Sequence, residues 1–200
     1  MHIPKKGLRA LGIAESYTGR SVSRLAGVVM RKDLRIDGFT FSTVTVGGMD
    51  ATDSVLHMVQ ELERSDINVI MLSGCVIAWF NIMNPALINK ETGIPVICVT
   101  YEDSEGIIED IRHHFPVDTA RISAYASLGE RIPVELHTHQ TIFIRVWGMD
   151  QRDAARLCSD FTLEGKIPEP LRVARLCARH VPPSLRDNPP APWLPIKKNS

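Results

Sequence analysis

The chain has 200 residues, 44% of them hydrophobic, and its 23 basic and 23 acidic residues cancel to a formal net charge of zero. We expect one compact domain over residues 1–181 and a proline-rich tail over residues 182–200, since this length suffices for one substantial core. The balanced charge excludes a global positive field that would drive non-specific binding to nucleic acid or anionic membranes. Any such binding requires a local patch.

The cysteines and the apolar segments predict a reduced, cytoplasmic protein. Cys75, Cys98, Cys158 and Cys177 show no CxxC spacing, and no N-terminal apolar segment has the form of a secretory signal. No apolar run reaches the roughly 18 to 20 residues needed to cross a bilayer. The expectation is therefore a protein with no membrane-spanning segment.

The first part of the chain predicts three strands. Residues Leu8 to Glu15 are mostly apolar and precede a group of strand-breaking residues. Val22 to Met30 and Ile36 to Val46 are rich in Val, Thr and Phe, and the polar residues between them favour a hairpin. We expect strands two and three to be antiparallel.

The middle of the chain predicts alternating helices and strands. A helix should begin near Asp50, whose side chain suits an N-cap, and apolar strands follow at Val69–Leu72 and Ile94–Val99. Helices are expected around Asn84–Lys90 and over Glu105–Phe115. This alternation favours parallel pairing of the two strands with right-handed crossovers.

The last part predicts extra strands over Ile132–Trp147 and helices near 150–161 and 170–180. Six prolines between Pro182 and Pro195 prevent a regular continuation and define the tail. Three antiparallel strands followed by two parallel strands with crossover helices is the order of a ribonuclease H-like mixed α/β sheet. In that sheet, strand one and the strand ending at Ser73 lie side by side, and their carboxyl ends form one cleft.

Five stretches carry a family resemblance. The chain resembles the archaeal uncharacterised family called domain of unknown function 99, which is itself related in fold to endonuclease V. The matching stretches are residues 11–13, 46–53, 70–74, 89–97 and 165–174.

The resemblance to endonuclease V implies four functional positions, of which this chain keeps one. The first acid falls at Ala14, the second near Asp53, which is retained, and the third at Ser73. The expected lysine falls near Tyr101. Glu15 follows Ala14 directly, but alternation along a strand predicts that its side chain points away from the place of Ala14. Asp53 also has a plain structural interpretation near the helix N-terminus.

These substitutions predict an endonuclease V-like protein that lacks metal-dependent nuclease activity and retains nucleic-acid or partner binding at the cleft. No cofactor is expected. The alternative is an active nuclease that uses Mg²⁺ or Mn²⁺ with a shifted set of metal ligands, Glu15, Asp53 and Asp103, because a two-metal site needs several converging carboxylates. A further alternative is an interaction or scaffold protein that uses the proline-rich tail.

Candidate nucleic-acid contacts lie after the cleft strand and on the last helix. Trp79 suits base stacking, with core packing of the ring as the alternative. Arg172, Arg175 and Arg179 recur at helical spacing and form a basic stripe, which either contacts phosphate or is simply solvated.

Overall fold

A computed structural model describes residues 7–17 and 21–180. The proline-rich tail and the boundary predicted at residue 181 lie outside these ranges. The elements in chain order are β1 (Arg9–Ser16), β2 (Val22–Arg31), β3 (Ile36–Thr45), α1 (Ala51–Glu61), β4 (Val69–Ser73), β5 (Val76–Ile77), β6 (Asn81–Ile82), α2 (Pro85–Thr92), β7 (Val96–Thr100), α3 (Ile108–His114), α4 (Thr119–Ala126), β8 (Ile132–Glu135), β9 (Thr141–Trp147), α5 (Gln151–Asp160) and α6 (Glu169–His180).

Seven strands form one mixed sheet in the order β3-β2-β1-β4-β7-β9-β8. The β1–β2 and β2–β3 pairs are antiparallel, and β1, β4 and β7 run parallel to one another. The extra strands β9 and β8 continue the sheet with antiparallel pairing. The predicted mixed α/β architecture is confirmed, including the parallel placement of β1 beside β4.

The two faces of the sheet carry separate apolar layers. Ile13 and Leu72 pack with residues of α1 to α4 on one face, whereas Ala14 and Met71 pack with residues of α5 and α6 on the other. This division follows from the two-residue period of a strand. Successive residues at the ends of β1 and β4 therefore face different helices.

Helix α6 lies unusually close to β1. A methyl group added at Gly12 would lie 2.5 Å from the carbonyl carbon and the Cβ of Pro170, so the absence of a side chain permits this approach. The contact holds the first turn of α6 against β1. The rest of the helix then runs beside β1 and β2 and brings its polar side chains to the end of β4.

The sequence did not predict two elements next to the cleft. The hairpin of β5 and β6 has only two residues in each strand, and its turn contains no glycine, asparagine or proline. Helix α4 follows the predicted helix over 105–115, which in the structure spans only Ile108–His114. Its short, weakly periodic segment gives little helical signal, although the Asp118 side chain caps it by accepting a hydrogen bond from the Arg121 N–H group.

The expectation of four reduced cysteines differs from the structure. Cys75, which follows β4, and Cys98, on the neighbouring strand β7, are buried and joined in a disulfide with their Cα atoms 6.2 Å apart. Cys158 and Cys177 are free. The pairing depends on the adjacency of β4 and β7, which cysteine spacing does not report. Among the helices of the described ranges, none is long and apolar enough to cross a membrane.

Candidate nucleic-acid interface

A cavity of about 330 Å³ lies at the carboxyl ends of β1 and β4. This is the edge of an open α/β sheet where ligands commonly bind. It contains one carboxylate and two guanidinium groups together with hydroxyl and apolar side chains. The lining residues are Glu15, Ser16, Tyr17, Ser73, Val76, Ile77, Arg175 and Arg179.

Glu15 is the carboxylate of this cavity. Its side chain accepts hydrogen bonds from the Ser23 hydroxyl and from the backbone N–H of Ala78. Burial raises the pKa of Glu15, and these two hydrogen bonds act in the opposite direction. As strand alternation predicts, Glu15 lies on the opposite face of β1 from Ala14 and does not take its place.

The positions assigned to the missing acid and lysine meet beneath α6. Ser73 Oγ accepts a hydrogen bond from an Arg175 Nη group at 3.0 Å, and the Arg175 guanidinium lies 5.3 Å from the centre of the Tyr101 ring. Ala14 is buried on the same face of the sheet. Burial raises the pKa of Tyr101, while Ser73 and Arg175 lower it. An arginine therefore contacts the residues that stand where the resemblance implies charged catalytic groups.

Of the three carboxylates predicted as alternative metal ligands, Glu15 lines the cavity, whereas Asp53 and Asp103 do not. Asp53 lies in the first turn of α1, on the side of the sheet that Glu15 also faces, and is not among the residues that line the cavity. The side chain of Asp103 is 82% exposed and pairs with Arg131 at 3.6 Å. Within residues 7–17 and 21–180, no group of three or more His, Cys, Asp or Glu side chains could hold a metal ion. A two-metal centre requires several carboxylates around the ions, and Glu15 is the acidic residue in the lining of this cavity.

Asp50 also differs from its predicted capping role. It occupies the N-cap position of α1, but its side chain makes no capping hydrogen bond to the helix. Its carboxylate instead accepts hydrogen bonds from the backbone N–H and hydroxyl of Thr45 and from the side-chain amide of Asn81. Asn81 in turn accepts a hydrogen bond from the Ala51 N–H group and so performs part of the expected capping.

The turn between β5 and β6 has an uncommon backbone conformation. Ala78, Trp79 and Phe80 have φ angles of 42°, 59° and 60°, a region that side-chain-bearing residues rarely occupy. Such residues cost of order 1–3 kcal/mol each and persist only where the surroundings hold them. Val76 and Ile77 of β5 line the cavity, and the turn that carries Trp79 follows directly after them.

Arg121 holds this turn in place. Its guanidinium donates hydrogen bonds to the carbonyl oxygens of Gly47 at 2.8 Å, Gly48 at 3.1 Å and Phe80. The same group pairs with Asp118 at 3.0 Å and lies 4.0 Å from the centre of the Phe115 ring. Arg121 is only 4% exposed. The sequence showed no signal for this role, because all three carbonyl groups belong to distant segments.

Trp79 projects toward solvent from the turn that Arg121 holds. The residue is 48% exposed, and its ring packs against the rings of His114 at 4.8 Å and Phe80 at 5.4 Å between centroids. The structure therefore leaves part of the indole accessible, as the stacking interpretation requires. The neighbouring rings restrict its orientation.

The predicted arginine stripe divides into two parts. Arg172 is held by Glu169, with two nitrogen–oxygen distances of 2.8 and 2.7 Å, and does not line the cavity. Arg175 and Arg179 do line it. Neither of these two forms an ion pair with a carboxylate in the described part of the chain. The cavity thus contains positive charge that no described acidic side chain neutralises by direct pairing.

Sequence comparison decides the family. A model of the family described as Endonuclease dU matches residues 6–182. This chain belongs to the Endonuclease dU family. A family relative from Pyrobaculum calidifontis, named UPF0215 protein, is 39% identical over 176 residues, which cover 86% of this chain and 95% of the relative. A UPF0215 protein from Methanothermobacter thermautotrophicus is 33% identical over 183 residues, covering 88% of this chain and 89% of the relative.

Solved structures agree with the predicted relation in fold to endonuclease V. A protein of unknown function from Archaeoglobus fulgidus matches this Endonuclease dU family member with a TM-score of 0.73 and 26% identity, covering 86% of this chain and 96% of that chain. The catalytic domain of human endonuclease V matches with a TM-score of 0.58 and 18% identity, covering 86% and 81%. Endonuclease V from Streptomyces avermitilis gives 0.59 and 20%, covering 88% and 82%. The expected archaeal relatives and the similarity of fold to endonuclease V are confirmed.

Proposed function

We propose that this protein binds single-stranded nucleic acid at the cavity at the carboxyl ends of β1 and β4 and does not cleave it by two-metal catalysis. The observation that carries the proposal is the replacement of carboxylates by uncharged residues at this edge, with two arginines in the same cavity. We also propose that the mixed sheet is of the ribonuclease H-like type.

The binding chemistry rests on two kinds of contact. Arg175 and Arg179 provide a local positive patch on a chain of zero net charge, and such groups bind the phosphate backbone. Trp79 offers a partly exposed ring, and stacking on aromatic side chains is a common way to hold an unpaired base. Related folds support the choice of ligand, since endonuclease V from Ciona intestinalis was solved in complex with a DNA containing inosine.

The lack of cleavage rests on the donor set. Two metal ions that clamp a phosphate require several carboxylates around one point. The cavity contains Glu15 as its acidic residue, and two hydrogen-bond donors already engage that carboxylate. Neither Asp53 nor Asp103 lines the cavity, and Asp103 pairs with Arg131.

Binding and cleavage are tested together with a labelled single-stranded DNA that contains deoxyuridine. We expect anisotropy titrations to show binding that is the same in EDTA and in Mn²⁺, and gels to show no product with either metal. Replacing both Arg175 and Arg179 by alanine should weaken binding about tenfold or more, because hydrogen bonds to charged groups contribute about 1.5–3 kcal/mol each. Arg152→Ala, which removes an exposed arginine from α5, is the matched control and should bind normally.

A metal-dependent endonuclease is the second candidate, favoured by the description of the family and by the presence of Glu15 in the cavity. It predicts cleavage of the deoxyuridine or inosine strand in Mn²⁺ or Mg²⁺ that disappears in Glu15→Gln or Asp53→Ala. That result would overturn the proposed function. The scaffold alternative concerns a tail outside the described residues and remains a prediction, tested by partner capture after removal of residues 182–200.

A further inference from the structure

We infer that Arg175 serves as a fixed cation that binds a phosphate group of the nucleotide ligand at the carboxyl end of β4, with Arg179 as a second contact. The inference rests on the proposed function and names the group recognised at that site. The shared chemistry is a phosphate on a nucleotide, carried either by a strand or by a free mononucleotide.

The position of Arg175 is determined by uncharged neighbours. The Ser73 hydroxyl accepts one of its hydrogen bonds at 3.0 Å, and the Tyr101 ring lies 5.3 Å from the guanidinium carbon. Both contacts orient the guanidinium, and neither neutralises its charge. A guanidinium has five N–H donors, and Ser73 accepts from one nitrogen, so further donors remain for an anion. A planar pair of donors suits two oxygen atoms of a phosphate.

Arg179 lies one helical turn after Arg175 and lines the same cavity. Neither arginine pairs with an acidic residue in the described ranges, whereas Arg172 on the same helix is bound on two nitrogens by Glu169. Two like charges on one face repel each other, and an anion between them relieves that repulsion. The cavity of about 330 Å³ is at the small end of the range for small-ligand sites and suits one nucleotide unit.

Glu15 is the acidic group that faces the same space, and its geometry limits its effect on the phosphate. Its carboxylate receives the Ser23 hydroxyl and the Ala78 N–H from the side of α1 to α4, and it makes no ion pair with Arg175 or Arg179. Burial also favours the neutral form of Glu15, in keeping with its raised pKa. The titratable Tyr17 lines the cavity as well.

The test compares two nearly isosteric substitutions at Ser73. Ser73→Asp places a carboxylate beside Arg175 and should neutralise it, whereas Ser73→Asn adds similar bulk without charge. We expect Ser73→Asp to bind a labelled 12-nucleotide single strand at least tenfold more weakly than Ser73→Asn. The slope of log affinity against log salt should also fall by roughly one phosphate contact. Arg175→Gln should give the same loss of slope, and thermal unfolding of each variant confirms that it is folded.

A second measurement distinguishes the two sources of phosphate. Thermal shifts of the full chain are compared in the presence of uridine monophosphate, uridine and inorganic phosphate. Stabilisation by the monophosphate but not by uridine identifies a free nucleotide, whereas binding of the oligonucleotide alone identifies the strand. Either result supports a phosphate site if the Ser73→Asp variant no longer shows that binding or stabilisation.

These experiments distinguish a failure of the proposed function from a failure of the phosphate assignment alone. If the wild-type protein binds neither strand nor nucleotide, the proposed function and this inference are both wrong. If the wild-type protein binds but Ser73→Asp equals Ser73→Asn and Arg175→Gln retains the full salt slope, only the phosphate assignment is overturned.

Discussion

Replacing Arg121 with methionine should destabilise the protein far more than the loss of an ordinary surface arginine. Methionine keeps most of the side-chain length beside Phe115 but removes every hydrogen bond to the carbonyl oxygens of Gly47, Gly48 and Phe80. A carbonyl left unsatisfied in a buried place costs about 1–3 kcal/mol. The three losses share one group and do not add fully, so we expect a decrease of about 3–5 kcal/mol in the free energy of unfolding.

Urea unfolding followed by circular dichroism measures this change, with Arg112→Met as the matched control. Arg112 has a 55% exposed side chain and pairs with Glu109 on its own helix, an interaction that contributes only about 0.3–0.5 kcal/mol. In thermal unfolding, each kcal/mol corresponds to about 2–4 °C for a domain of this size. If Arg121→Met and Arg112→Met unfold at the same urea concentration, Arg121 does not hold the turn between β5 and β6.

Three further predictions concern β1 and the turn between β5 and β6. Gly12→Ala should lower the free energy of unfolding by about 1–3 kcal/mol, measured in urea, because the new methyl group would lie 2.5 Å from Pro170. Glu15→Gln should remove a pH dependence of stability: the folded pKa is raised above the ordinary 4.5, so the wild-type free energy of unfolding falls as the pH rises from that value through the folded pKa and is flat above it. Trp79→Ala should weaken binding of a single-stranded oligonucleotide by about 5- to 150-fold in anisotropy titrations, which corresponds to the 1–3 kcal/mol of one stacked base.

Each of these has a control in the same chain. Gly38→Ala should be tolerated, since its nearest neighbour would lie 3.6 Å away, and equal destabilisation of both glycine variants would contradict the proposed close approach of α6. A Glu15→Gln protein with the same pH profile as the wild type would show that another group titrates. Trp79→Phe retains a ring and should keep most of the affinity, and unchanged binding in Trp79→Ala would remove Trp79 from the interface.

Much of the site's frame was predictable because it depends on local patterns. The mostly apolar runs ending at Glu15 and Ser73 indicated two buried strands. The segments of α1, α5 and α6 were predicted as helices, which can pack on the faces of such strands. Alternation along β1 also predicted that Ala14 and Glu15 face opposite sides. The sequence alone also shows that positions 14 and 73 carry alanine and serine, where the resemblance to endonuclease V implies acids.

Other features required the folded chain because they join residues that are remote in sequence. The hydrogen bond from Arg175 to Ser73 spans 102 positions, and the one from Arg121 to Gly47 spans 74. Cys75 and Cys98 likewise meet only because β4 and β7 are neighbours.

The amino-acid pattern was therefore enough to predict the strands of the seven-stranded sheet and the opposite faces of Ala14 and Glu15. The packing of α6 on β1 determined that an arginine enters the cleft, and the contacts of Arg121 determined how the turn that carries Trp79 is held. The physical reason is that the periodicity of apolar residues indicates which side of a helix or strand is buried. Which residues pack against that side depends on how segments that are distant in sequence come together.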